Sequence, residues 1–290
     1  STVRRFPMEL IKREITWAAD HRCELVYNCD ANFGMLAQDE EITDALVAEN
    51  ERTGYPQKFR ASYANNTNDR LKRIGKKIAD AGMSKGVTLS LKSMDPHVLQ
   101  VVKRRNMPIE EFAGLVAHYR AENVPTFTEV ILGLPGETYQ SFAEGIDAIL
   151  NAGQHDGLNI YPLIVLENSE LNDPGYREMH QIESVRLPML LLHGSPGEDP
   201  SPEEYELVVS TATMSRHEWI TLMVMSWIVQ GLHGLGLLQS WAIASYRESG
   251  DYWRFYEGLQ SAHPLSLLGR EIRQLHLLLS DVLSGVKSWN

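Results

Sequence analysis

Cysteine is nearly absent from this chain of 290 residues: only Cys23 and Cys29 occur. Two thiols exclude a disulfide-stapled scaffold and a four-cysteine zinc site. They equally exclude an iron–sulfur cluster held by three cysteines of the chain. The ten histidines form no H-x-x-x-H or H-E-x-x-H pattern, so no protein-built zinc site is expected. Basic charge is also short. Lys and Arg number 27 against 38 Asp and Glu, a net charge of −11, which argues against a nucleic-acid partner. Ser1 is followed by no apolar signal segment and no arginine-rich transit peptide, so a cytoplasmic setting is expected.

Long apolar runs are missing too, with one exception. From Trp219 to Tyr246 no residue is charged, a length able to span a bilayer. The run nevertheless holds Thr221, Ser226, Gln230, His233 and Gln239, with Gly231, Gly234 and Gly236 near its middle. No basic cluster flanks it to set a topology. A glycine-interrupted pair of buried helices is the expectation, and no membrane partner.

What is present is uneven. Glu51 to Arg105 carries 13 basic and 4 acidic residues, whereas Asn106 to Glu218 carries 4 basic and 19 acidic. Two readings stand: solvated helix faces of opposite sign, or a basic stretch turned toward an anionic cofactor or partner domain.

The first 166 residues alternate helical and strand patterns. Helices are expected at Met8–His21, Asp39–Arg52, Asp69–Ala81, Asp95–Arg105, Pro108–Glu122 and Tyr139–Ala152. Strands are expected at Glu24–Asp30, Lys58–Ala64, Gly86–Leu91, Thr126–Leu132 and Gly157–Leu166. This period predicts an α/β fold, a parallel sheet wrapped by helices and closed or nearly closed into a barrel. An open doubly wound sheet is the alternative, but no G-x-G-x-x-G turn follows the first strand, which disfavours a dinucleotide fold. Beyond Leu171 the character changes. Asn172-Asp173-Pro174-Gly175 is a turn, 194–202 is rich in Pro, Gly and Ser, and 203–290 reads as mainly helical with five of the six tryptophans. The expected division is a barrel over 1–172, a connector over 173–202 and a helical capping domain over 203–290.

Parallel barrels bind ligands where strands deliver polar side chains at their C-terminal ends. That rule selects Asp30 and Asn32 from the first strand, Ser62, Tyr63 and Asn65 from the second, and Ser90, Lys92 and Ser93 from the third. The fourth carries Glu129 and ends in the Gly133–Glu137 loop; the fifth delivers Tyr161, Leu163 and Val165. Donors, acceptors, a cation and an apolar wall suit a zwitterionic ligand with a flat ring. Plainer readings stand beside this one. Asp30 to Gly34 could be an Asx turn, Glu129 half of a structural ion pair, Lys92 a solvated edge residue, and Gly133 to Thr138 a turn with a helix cap.

Four segments in order carry a resemblance. Glu129-Val-Ile-Leu-Gly-Leu-Pro-Gly-Glu-Thr138 resembles the fifth-strand motif of radical S-adenosylmethionine enzymes. Ser90 to Arg104 resembles their fourth strand and its helix, and Ile160 to Leu171 their sixth strand. Asn28-Cys-Asp-Ala-Asn-Phe-Gly34 is similar to the second-strand end of the cobalamin-dependent branch. The resemblance covers residues 1–172 and implies a partial (β/α) barrel with S-adenosylmethionine on its inner face. It further implies a 4Fe–4S cluster that cleaves this cofactor to a 5′-deoxyadenosyl radical.

By position, the resemblance places Arg104 on the methionyl carboxylate and Glu129 on the ribose hydroxyls. Ser62 and Lys92 would contact polar groups, Asp30 and Asn32 the amino group, and Ser90 would count among the cofactor-binding residues. Gly133 would let backbone approach the ligand, while Tyr161, Leu163 and Val165 wall the adenine. Two departures stand out: Lys92 replaces a commoner neutral amide, and Glu167-Asn168-Ser169 replaces Pro-Gly-Thr. The cluster motif C-x-x-x-C-x-x-C is absent from the chain, so the first strand and cluster loop are expected upstream of Ser1, as is any cobalamin domain. The implied function is the cofactor-binding part of a radical enzyme, with methyl transfer as one outcome. Its partners would be a small-molecule or peptide substrate and an electron donor of the reductase or flavodoxin type. The alternatives are a conventional (β/α) lyase or aldolase with Lys92 as Schiff-base former, and a cluster-free ligand-binding module.

Overall fold

The computed structural model describes residues 5–64, 69–188, 204–261 and 265–285. Asn65 and the whole Pro/Gly/Ser-rich stretch at 194–202 lie outside the described residues. In chain order the elements begin with α1 (Met8–Asp20), β1 (Leu25–Phe33), α2 (Ala37–Thr53), β2 (Lys58–Tyr63), α3 (Asp69–Asp80) and β3 (Val87–Ser90). Next come α4 (Pro96–Val101), α5 (Ile109–Ala121), β4 (Thr126–Leu132), α6 (Tyr139–Asn151), β5 (Leu158–Pro162) and β6 (Ile164–Val165). The rest is α7 (Pro174–Met179), β7 (Glu183–Pro188), β8 (Glu204–Ser210), α8 (Arg216–Ile228), a π turn (Val229–Gly234), α9 (Gln239–Ser249), α10 (Tyr252–Gln260) and α11 (Leu267–Leu283).

The chain divides into two compact units. The first comprises Ser1–Ser90, Met107–Thr128 and Ala152–Gly157; the second comprises Leu91–Asn106, Glu129–Asn151 and Leu158–Asn290.

In the first unit, β1 and β2 pair in parallel from Leu25↔Lys58 to Asn28↔Ala61. The register then shifts: β1 advances from Asn28 to Phe33 while β2 advances only from Ala61 to Tyr63. The surplus residues of β1 form a bulge, and they include Asp30 and Asn32. Such bulges re-aim side chains. Beyond β2, one parallel bridge, Phe59↔Ser84, reaches the residues before β3.

Helix α3 buries Leu71, Ile74, Gly75 and Ile78, the spacing of one helical face. Burying a side chain such as Ile74 is worth about 1.5–3 kcal/mol. The polar face of α3 accounts for part of the basic excess. Arg73 binds Glu40 at 2.9 Å, Lys77 binds Asp44 at 2.6 Å, and Lys76 binds Glu122 at 2.8 Å. These basic residues of α3 answer the acidic face of α2 and Glu122 at the end of α5, and no anionic ligand is needed to account for them.

Parallel pairing continues along β4. Val87 N–H donates to Pro125 O and Thr128 N–H to Gly157 O in the first unit. Leu91 N–H donates to Glu129 O and Leu163 N–H to Leu132 O in the second. Residue numbers rise together on both sides of β4, so the β3-β4-β5 triplet is parallel. The parallel strands thus form a pair and a triplet linked by one bridge.

Two sequence expectations change in the second unit. The helix expected to reach Arg105 stops at Val101, and Lys103 adopts a left-handed φ of 53°. The strand expected over 157–166 breaks at Leu163. Leu163 N–H bonds to β4, while its carbonyl accepts from Val208 N–H at 2.9 Å. The chain there leaves the parallel sheet and enters an antiparallel one of order β6-β8-β7. The stretch read as a connector therefore carries α7 and β7, and the mainly helical stretch opens with β8.

The uncharged run becomes α8, the π turn and most of α9. Helix α8 with its π turn is bent by 106° from α9, and no single helix among the described residues is long and apolar enough to cross a membrane. Burial fits the expectation for α8, where Trp219, Leu222, Val224 and Met225 are buried. Helix α9 differs, since only Ala242 is buried.

Candidate functional site

In the second unit, a cleft of about 440 Å³ opens beside the C-terminal end of β4. Strand β4 alternates strictly, burying Thr128, Val130 and Leu132 and turning Glu129 and Ile131 to the other face. Glu129 and Ile131 line the cleft. Lys92 borders it from the residues after β3 and is held by its carbonyl, which accepts from Ile131 N–H at 3.0 Å. Arg104 enters from the turn after α4, exposed at that rim. Tyr161 and Leu163 supply the wall from β5 and the break that follows it. Five of the residues selected from sequence thus meet on one cleft: Lys92, Arg104, Glu129, Tyr161 and Leu163.

Two others do not line it. Val165 is buried in a cluster with Val98, Leu134, Leu163, Ile182 and Val208, while Ile164 and Leu166 line the cleft. The reason is the break at Leu163, which ends the single strand face that would have put 161, 163 and 165 together. Gly133 is buried behind Leu163, with φ +94°.

The remaining candidates belong to the first unit. Asp30 and Asn32 border a separate cleft of about 660 Å³ whose walls include Ile11 and Ile15 of α1 and Leu36 and Ile42 beside and within α2. An Asx-type ladder shapes the bulge there. Asp30 N–H donates to Asn28 Oδ1 at 2.7 Å, and Asn32 N–H donates to Asp30 Oδ1 at 2.9 Å. Ser62 lies on β2 with its Oγ 3.4 Å from the Tyr27 hydroxyl. Ser90 ends β3 and is half-buried.

Sequence reasoning missed three contributors. Asn106 bridges the cleft's two cationic segments: its Nδ2–H donates to Ser93 O, and its Oδ1 accepts from Lys92 N–H at 3.5 Å. Tyr176, from α7, lines the cleft, and burial pushes its phenol up, with Glu170 adding to the shift. Glu137 is 1% exposed, accepts from Ser93 Oγ at 2.8 Å, and is pushed up to about 8 by burial. The only signal for Glu137 was its place in the turn between a buried strand and an amphipathic helix.

Chemically, two cations beside a carboxylate and an apolar wall suit a zwitterion with a flat ring. A guanidinium fork matches a carboxylate, Glu129 can accept from ammonium or hydroxyl groups, and Leu163, Ile164 and Tyr161 can cover a ring. No group of three or more His, Cys, Asp or Glu side chains suited to a metal exists among the described residues.

Comparison with known proteins gives the family of the chain. Residues 1–149 match the Radical SAM superfamily. The chain belongs to that superfamily. Its members are enzymes that bind S-adenosylmethionine and a 4Fe–4S cluster. The donor set of the cleft fits the first of these. It does not fit the second, because Cys23 and Cys29 cannot make the family's three-cysteine ligand set. Membership also displaces the conventional aldolase reading of Lys92.

Over 288 residues this radical SAM chain is 38% identical to the cobalamin-dependent radical SAM methyltransferase TokK of Streptomyces tokunonensis, covering 98% of the chain and 42% of TokK. Over 289 residues it is 36% identical to the 2-(S-pantetheinyl)-carbapenam-3-carboxylate methyltransferase of Streptantibioticus cattleyicolor, covering 98% of the chain and 42% of that protein. The chain therefore spans less than half the length of these relatives. Among solved structures, the radical S-adenosylmethionine methyltransferase TsrM of Kitasatospora setae aligns over 55% of this chain and 30% of its own. The TM-score is 0.45 and the identity 18%.

Proposed function

We propose that this chain is the S-adenosylmethionine-binding part of a cobalamin-dependent radical SAM methyltransferase, built as a partial (β/α) barrel with a C-terminal cap. The cleft carries the reading: Arg104, Lys92 and Glu129 border one space of about 440 Å³ that Leu163 and Tyr161 wall. Arg104 binds the methionyl carboxylate through its planar fork. Lys92 adds positive charge to the same end, and Glu129 accepts from the ribose hydroxyls. Leu163, Ile164 and Tyr161 cover the adenine and exclude water from it. Asp30, Asn32, Ser62 and Ser90 belong to the first unit and have no part in this cleft. Bound there, S-adenosylmethionine supplies the methyl group or the radical that the reaction consumes.

The cluster's cysteines are not in this chain, and no residue of it is assigned to cobalamin. Support for methyl transfer comes from the two relatives named above, both methyltransferases. The substrate is a small molecule or peptide, and the electron donor a reductase or flavodoxin-type protein.

A form of the protein carrying a C-x-x-x-C-x-x-C loop, reconstituted anaerobically, tests the reading. It is expected to show cluster absorbance, to consume S-adenosylmethionine and to methylate its substrate. A cluster-loaded protein that neither methylates nor forms 5′-deoxyadenosine would overturn the assignment.

A further inference from the structure

Glu137 is the most deeply buried carboxylate among the described residues, at 1% exposure. Its Oε1 accepts from Ser93 Oγ–H at 2.8 Å, and its Oε2 has no hydrogen-bond partner among those residues. Apolar Val130, Phe142 and Ile146 close in beside it. The backbone on either side is equally committed: Glu137 N–H donates to Leu134 O at 3.1 Å, and Glu137 O accepts from Thr213 Oγ1 at 2.7 Å. Ser93 is tied onward, since its carbonyl accepts from Asn106, whose Oδ1 faces Lys92 N–H. One chain of contacts thus runs from Glu137 through Ser93 and Asn106 to the residue bordering the cleft.

We propose that Glu137 is a positioning residue: as the neutral acid it holds the Gly133–Leu134 turn against the loop that carries Lys92, and its ionisation loosens the cleft. This rests on the reading of that cleft as the S-adenosylmethionine site.

The chemistry follows from burial. A carboxylate lodged among apolar side chains with one bare oxygen is costly, whereas the acid is tolerated. Burial pushes Glu137 up to about 8; the Ser93 hydroxyl and the Gly133 and Leu134 amides oppose that shift, and Asp95 adds to it. Three charged or titratable groups face this region from the elements packed on it. Asp95 caps α4, Lys92 borders the same small space, and the His97 ring lies about 3.5 Å from where a side chain at Gly136 would begin. None offers Glu137 an ion pair among the contacts described. Ionisation therefore puts a charge next to the turn that ends β4 where the Ser93 hydroxyl and the two amides offset only part of the cost of burial.

The test measures S-adenosylmethionine affinity of the chain by calorimetry from about pH 6.5 to about pH 9.5, for wild type, Glu137→Gln, Glu137→Ala and Ser93→Ala. The ligand's own amino group titrates in this window and affects every protein alike, so the difference between profiles is the readout. Wild type is expected to lose about tenfold in affinity relative to Glu137→Gln across the window. Glu137→Gln binds like wild type at neutral pH and keeps that affinity as pH rises; Glu137→Ala is weak throughout. Ser93→Ala, lacking the hydroxyl that favours the ionised form, shifts the midpoint of the wild-type loss to higher pH. Parallel profiles for wild type and Glu137→Gln, or an unmoved midpoint in Ser93→Ala, overturn the proposal.

Amide exchange at Gly133 and Leu134 separates this claim from the identity of the ligand. Protection there should fall with rising pH in wild type but not in Glu137→Gln. If S-adenosylmethionine binds none of the proteins, the cleft reading fails while this comparison still decides the role of Glu137.

Discussion

A side chain at Gly133 would begin 3.3 Å from the indole nitrogen of Trp219. Trp219 is fully buried, and its Nε1 has no hydrogen-bond partner among the described residues. The end of β4 and helix α8 approach this closely because residue 133 carries no Cβ, and its φ of +94° suits glycine alone. Gly133→Ala must strain the backbone and crowd a ring that cannot retreat. A loss of about 1–3 kcal/mol is expected, read as a lower urea midpoint by tryptophan fluorescence. An unchanged midpoint would show that α8 yields.

The same pair predicts an asymmetry at position 219. Trp219→Phe removes an N–H with no partner while keeping most of the apolar volume, so stability should change by only about 1 kcal/mol. Trp219→Ala opens a cavity under the β4 turn and should cost about 3–5 kcal/mol. Equal losses in the two variants would mean that the indole nitrogen is satisfied in solution.

Arg104 offers a cleaner separation of binding from folding. It is exposed on the turn after α4, so Arg104→Ala should leave the melting temperature nearly unchanged. Losing a charge-assisted hydrogen bond to a carboxylate should weaken S-adenosylmethionine binding about ten- to hundredfold. Arg104→Lys should recover little, because a point charge cannot reproduce the planar fork. Wild-type affinity in Arg104→Ala would remove this residue from the site.

Much of this was legible in the sequence because it depends on local rules. The alternation of β4 put Glu129 on the face opposite Val130, and barrel logic selected Lys92 and Tyr161 from their places at strand ends. The misplacement of Val165 has a non-local cause. The strand leaves one sheet for another at Leu163, and the partner that pulls it away, Val208, lies far along the chain. Arg104 was expected on a helix that in fact ends earlier, since the left-handed Lys103 breaks it without glycine or proline. Asn106 and Glu137 escaped because a buried hydrogen bond leaves no periodic trace.

The ion pairs between α2 and α3 engage part of the basic excess without adding much stability. Arg73 and Lys77 are about half or two-fifths exposed, at 53% and 39%, so solvent screens both pairs. Arg73→Ala or Lys77→Ala should each lower the urea midpoint only slightly. Raising the salt concentration should erase most of that difference. A large drop in the midpoint of either variant would show that the pairs hold the helices together.

Glu137 also predicts how stability depends on pH, apart from any ligand. Its folded value of about 8 lies above the ordinary 4.5 of a glutamate. The folded chain therefore holds a proton that the unfolded chain releases between these values. With the folded state binding more protons, stability falls as pH rises through that window, by at most about 1.4 kcal/mol per pH unit, and levels off above about 8. Asp39 and Asp147, both pushed up by burial, remain in every variant and cancel in a comparison. Urea unfolding at about pH 5.5 and about pH 8 should show Glu137→Gln gaining on wild type as pH rises. If the two proteins keep the same difference at both values, Glu137 does not carry its proton into the folded state.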